Sequence, residues 1–201
     1  MAKRFFYGIS LILHPVFLTT VGIMLLSVCL LPAAPLKSKM VLVLFSAGYS
    51  IVIPMCFITL AWLTGFVNSF QLRQRNERLM ALIINVICLF FFQNMLTAWH
   101  APRLMHSFTV GTMALMIVSA IICIFSHISL HAIAWGGLTA LVSYLSFYLP
   151  NLSILLSVAI VLSGLAGTAR LYLDEHTPIH IYSGFAIGFA TIWLTLLILS
   201  L

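Results

Sequence analysis

Nine Lys/Arg and three Asp/Glu are the only formally charged side chains among 201 residues, and they leave uncharged runs at 5–36, 40–72, 79–102, 104–169 and 176–201. Each run holds at least one helix of about 20 residues, the length that crosses a hydrocarbon core of roughly 30 Å. Lipid offers backbone N–H and C=O groups no partner, so a spanning segment must bond its own. The runs are continuous rather than alternating, which selects helices over a barrel. A composition that is 63% hydrophobic and 6% charged also excludes an ordinary soluble domain. The expected fold class is all-α, a polytopic transmembrane helix bundle of about six to seven spans.

The opening MAKRFFYGISLILHPVFLTTVGIMLLSVCLL has the charged start of a signal peptide. Its apolar part far exceeds the usual 7–15 residues, so it is expected to be a retained first span. Cys29, Cys56, Cys88 and Cys123 are widely separated inside apolar runs, which suggests packing residues rather than a disulfide framework or a CxxC metal pair. The net charge of +6 is spread along the chain and does not indicate nucleic-acid binding.

Seven spans fit best: near 11–31, 40–66 with a kink at Pro54, 79–99, 104–125, 132–149, 152–169, and from Pro178 to the end. Two spans separate each polar segment from the next, so 68–78, 126–131 and 170–180 are expected on one membrane face. Together they hold every acidic residue and four of the seven histidines: Arg73, Arg75, Glu77, Arg78, His127, His131, Arg170, Asp174, Glu175, His176 and His180. Ionisable groups at a membrane surface or within it point to function.

Removing phosphate from a lipid at an interface needs three things. Cations must hold the nonbridging oxygens, a nucleophile must attack in line, and an acid must protonate the leaving oxygen. Arg78 and Arg170 offer forked donors suited to phosphate. His176 is the candidate nucleophile and His131 the candidate acid. Ser129, two residues before His131, is placed to offer its hydroxyl or backbone N–H near a helix start. A second chemistry stays open: His127 and His131, like His176 and His180, are four apart, the spacing of a shared metal on one helix face, although no HExxH is present.

Arg170, LYLDE, His176, TPI and His180 resemble the third motif of the type 2 phosphatidic acid phosphatase superfamily, which is Arg, five residues, His, three residues and Asp. Ile128-Ser129-Leu130-His131 resembles its second motif, Pro-Ser-Gly-His. Gln71 through Arg78-Leu79 resembles its first motif in the arginine alone. The RNER run, ISLHAIAWGG and His14-Pro15 resemble a compact Bacteroidetes-like subfamily. The resemblance implies a single phosphatase-like domain over 1–201 that hydrolyses a phosphorylated lipid through a phosphohistidine. In that scheme His176 is the nucleophile, His131 the acid, and Arg78, Arg170 and Ser129 the phosphate ligands, with no metal or other cofactor. Gln71 stands where the family has lysine, and Arg73 or Arg75 is the nearest substitute. His180 stands where the family has the aspartate that orients the nucleophile; Asp174 and Glu175 are the nearest carboxylates.

The substrate class is then a phosphatidate, phosphatidylglycerophosphate, undecaprenyl diphosphate or lipid A phosphate, and the location a bacterial inner membrane. An alternative is a catalytically degenerate protein that binds an anionic lipid headgroup. A third is a histidine-ligated membrane metalloenzyme. Lys3, Arg4, Arg73 and Arg75 against Lys37, Lys39 and Arg103 leave the orientation open. His14 is expected to pack or cap, Phe90-Phe91-Phe92 and Trp135 to pack or face lipid, and the Gly184-xxx-Gly188 pair to let helices approach within the chain.

Overall fold

A computed structural model describes residues 2–68, 74–126 and 128–200. Among these residues there is no strand, and seven helical segments are long and apolar enough to cross a membrane. They are Ala2–Leu30, Leu36–Leu63, Arg75–Ala98, Arg103–Phe125, Leu130–Tyr148, Pro150–Tyr172 and Pro178–Leu199. The chain is a multi-pass, all-α membrane protein of about seven spans. It divides into two compact units, 1–18 with 127–201, and 19–126.

The first segment is broken. Helix α1 (Ala2–Ile12) ends at His14, whose extended backbone (φ −67°, ψ 137°) is what a following proline favours, and a 3-10 turn at Pro15–Phe17 leads into α2 (Leu18–Leu30). The second segment comprises α3 (Leu36–Ala47), a π-helical stretch at Gly48–Val52, and α4 (Ile53–Leu63). Pro54 explains the distortion. It has no N–H for the carbonyl of Ser50, and its ring would collide with that carbonyl in a regular helix. The wider turn relieves the collision, and the Asn85 side-chain amide donates to the Ser50 carbonyl at 3.3 Å. The Ser50 hydroxyl pairs with that of Thr20 at 2.9 Å. A kinked helix survives in lipid when a neighbour bonds the freed carbonyl in this way.

Asn85 lies on α5 (Arg75–Ala98), which pairs with α6 (Arg103–Phe125) in the same unit. Glu77 holds the start of α5: its carboxylate accepts the backbone N–H of Gln74 at 3.2 Å and of Asn68 at 2.8 Å, and the residue is 4% exposed.

The other unit is built around α7 (Leu130–Tyr148), which packs on α8 (Ser153–Tyr172) and most extensively on α9 (Pro178–Leu199). A 3-10 turn at Pro150–Leu152 joins α7 to α8, and α9 begins at Pro178, as expected from the sequence. The contact between α7 and α9 depends on glycine. A Cβ at Gly136 would stand 2.2 Å from the Phe185 carbonyl oxygen, and one at Gly188 would stand 2.0 Å from that of Ile133. At Gly184 it would be 3.1 Å from the Ser129 oxygen. The Gly184-xxx-Gly188 face is therefore buried against this chain's own α7, and the closeness carries through to the N-terminal ends of both helices.

Alanine favours a helix over glycine by up to about 1 kcal/mol, so any net loss on substitution has to come from the packing. Gly188→Ala is expected to destabilise the detergent-solubilised protein by about 1–3 kcal/mol, read as a lower Tm. Gly164→Ala on α8, where nothing lies within 4 Å of the new methyl, is expected to hold or raise the Tm. Equal Tm values for Gly188→Ala and wild type would contradict the glycine contact.

Candidate functional site

Lys3, Phe6 and Ser10 of α1, and His14 just beyond its end, recur every three or four residues, and each meets the unit formed with α7, α8 and α9. Lys3 pairs with Asp174 at 3.9 Å between two exposed side chains. Phe6 lies against Tyr172 with ring centroids 4.3 Å apart. The Ser10 hydroxyl accepts from Arg170 Nη1 at 3.1 Å and lies 3.3 Å from His131 Nε2. The His14 ring meets the His131 ring edge to face at 5.3 Å.

His131 sits at the second residue of α7, and its Nε2 lies 3.1 Å from the Ser10 carbonyl oxygen. A carbonyl only accepts, so this contact places a proton on Nε2 and leaves Nδ1 as the nitrogen free to exchange one. One turn further along α7, Trp135 Nε1 donates to the Leu13 carbonyl at 3.0 Å. Both acceptors belong to the end of α1, where the helix leaves its last carbonyls without helical partners. His131 and Trp135 thus dock α1, a role for Trp135 beyond the packing or lipid contact expected of it. Ser129 is the N-cap of α7 and fully buried; its hydroxyl oxygen accepts the Ala132 N–H at 3.4 Å, leaving its own proton to donate.

The segment after α8 is shaped by a helix-ending motif. The Glu175 N–H bonds the Arg170 carbonyl at 3.2 Å and the Asp174 N–H bonds that of Leu171 at 3.0 Å, with Asp174 left-handed at φ 58°. This turn folds the Glu175 carboxylate back onto the Arg170 guanidinium, forming an ion pair with Nη2. The Arg170 side chain is 14% exposed, and its Nε is buried with no hydrogen-bond partner among the described residues.

His176 and His180 line one open hollow with Leu171, Asp174, Glu175 and Thr177. Their rings are perpendicular, with centroids 6.2 Å apart. The four-residue spacing suggested a shared helix face, but the extended Thr177 and Pro178 start α9 after His176, so only His180 is on the helix. Arg170, His14 and His176 all lie within electrostatic range of His131.

The structure therefore gathers His131, Ser129, Arg170, Asp174, Glu175, His176 and His180 at one end of one unit. Arg75 and Arg78 belong to α5 in the other unit. Gln71, Arg73 and His127 lie outside the described residues. Of the two carboxylates that precede His176, Glu175 pairs with Arg170 and Asp174 with Lys3. Among the described residues, no three His, Cys, Asp or Glu side chains are grouped to hold a metal ion. Sequence reasoning missed Ser10 as a partner of the site and gave His14 only a packing or capping place; the signal available was the spacing of Lys3, Ser10 and His14 along a mostly apolar segment.

Asp174 tests the local geometry. A β-branched residue is strained at its left-handed backbone whereas glycine is not, so Asp174→Val is expected to cost about 1–2 kcal/mol and Asp174→Gly to match or exceed wild type in Tm. The opposite order would contradict the turn. No protein-family model matches the chain, and no curated protein or solved structure matches it significantly.

Proposed function

We propose that the chain is a lipid phosphatase of a bacterial inner membrane, acting through a phosphohistidine on a lipid phosphate monoester or diphosphate. The observation that carries this reading is the link between Arg170 and His131 through the single hydroxyl of Ser10. It brings the arginine of the third motif and the histidine of the second to one place. The buried, unpartnered Nε–H of Arg170 adds a donor that an anion would satisfy.

In this mechanism the phosphate rests on Arg170 and Ser129. A ring nitrogen of His176 attacks phosphorus, the N–P bond forms, and the P–O bond to the lipid breaks. The Nδ1 of His131, with the ring oriented by the Ser10 carbonyl, relays a proton carried in by the phosphate monoanion to the departing oxygen. Water then attacks phosphorus, passes a proton to His131 and releases phosphate as the N–P bond breaks. The Ser10 carbonyl does for His131 part of what a buried carboxylate does in a hydrolase triad, accepting the far N–H and fixing the tautomer. Phosphate entering the site competes with Glu175 for Arg170, so the ion pair opens on binding.

A second reading keeps the site but not the turnover. Glu175 neutralises Arg170, and His180 replaces the aspartate expected to support His176. On that reading the pocket binds an anionic headgroup and releases nothing.

Purified protein in detergent, assayed for inorganic phosphate against phosphatidate, phosphatidylglycerophosphate and undecaprenyl diphosphate, separates the two. The phosphatase is expected to release phosphate from at least one of them, to lose that activity by about a hundredfold or more in His176→Ala, and to keep it in EDTA. Undiminished activity in His176→Ala would overturn the phosphohistidine; binding without release across the panel would select the second reading.

A further inference from the structure

We infer that His14, from the broken first segment, is a ligand for the phosphate group bound at this site. The inference rests on the reading of the site as one for a phosphate-bearing lipid and adds a residue outside its three motifs.

The local backbone fixes the state of the ring. His14 is the N-cap of the Pro15–Phe17 turn, and its Nδ1 accepts the Val16 N–H at 3.3 Å. A nitrogen that accepts carries no proton, so the proton of the neutral ring is on Nε2. That N–H has no acceptor among the described residues. Proline at 15 adds rigidity, because it holds the residue before it extended and sets the first turn after it.

The surroundings select an anion as the missing acceptor. The His14 ring stands edge to face against His131 at 5.3 Å, and Arg170 is within electrostatic range of both imidazoles. The Ser10 hydroxyl, four residues earlier on α1, already accepts from Arg170. A phosphate lying between Arg170 and His131 would meet an oriented N–H from His14, and among the described residues no carboxylate pairs with the His14 ring to compete for it. The Glu175 carboxylate is held by Arg170. His14 is exposed, so its Nε2–H is open to an incoming ligand.

The two ring nitrogens can be tested apart. His14→Asn keeps a side-chain acceptor at the cap and removes the Nε2–H, whereas His14→Gln restores an N–H at that distance. Affinity for orthovanadate, a phosphate analogue, is measured for the full chain in detergent alongside Tm and, where turnover is present, kcat/KM. The expected result is an affinity about tenfold lower or weaker still in His14→Asn, at unchanged Tm, with part of it recovered in His14→Gln. Wild-type affinity and kcat/KM in His14→Asn would overturn the inference and leave the phosphatase reading standing. Orthovanadate binding by wild type without turnover removes the phosphatase reading while the variants still decide the role of His14. A wild-type protein that neither binds orthovanadate nor releases phosphate overturns both.

Discussion

A carbonyl without a partner costs several kcal/mol in hydrocarbon, and the architecture around α7 follows from meeting that cost at one place. Helix α1 stops inside an apolar segment because His14 is held extended before Pro15. Its last carbonyls therefore need donors from elsewhere, and His131 and Trp135 supply ring N–H groups one turn apart on α7. The same contact that closes the end of α1 fixes which nitrogen of His131 carries a proton. Structure and candidate chemistry share this bond: replacing His131 removes the proposed acid and also frees the Ser10 carbonyl. The glycine contact between α7 and α9 serves the same end of the unit, since only a near-touching pair of helices sets the start of α7, with Ser129 and His131, close to the start of α9.

The other unit meets an equivalent need with a different group. Pro54 frees a carbonyl in midsegment, and a π-helical turn together with the amide of Asn85 accommodates it. Two prolines in two units thus lead to different outcomes. At Pro54 the freed carbonyl takes an asparagine, a group that does not titrate near neutral pH. At Pro15 the freed carbonyls take a histidine and a tryptophan, and the histidine keeps a second ring nitrogen.

Much of the fold was legible because charge in a chain this apolar falls where the helices end. The uncharged runs marked the spans, Pro150 marked a turn and Pro178 marked the start of the last helix. The gathering of His131 with Arg170 and His176 was anticipated from the parity of the crossings. Other features were not legible, for reasons that lie in long-range geometry. Nothing local distinguishes Ser10 from a serine that merely packs in a span; its partners are 121 and 160 residues away. The ion pair between Glu175 and Arg170 depends on a left-handed Asp174, a conformation usually signalled by glycine. The π-helical turn at Gly48–Val52 needed knowledge of both Pro54 and its neighbour Asn85. The histidine spacing at 176 and 180 was misleading for a metal site because a proline begins the helix between them.

The account turns on a covalent bond to His176. The most direct measurement is a rapid acid-free quench of the protein turning over a ³²P-labelled lipid phosphate, followed by mapping of the label to a peptide. A base-stable, acid-labile label is predicted on the peptide that carries His176, present in wild type and absent in His176→Ala. Phosphate release with no such label, or a label that persists in His176→Ala, would contradict it.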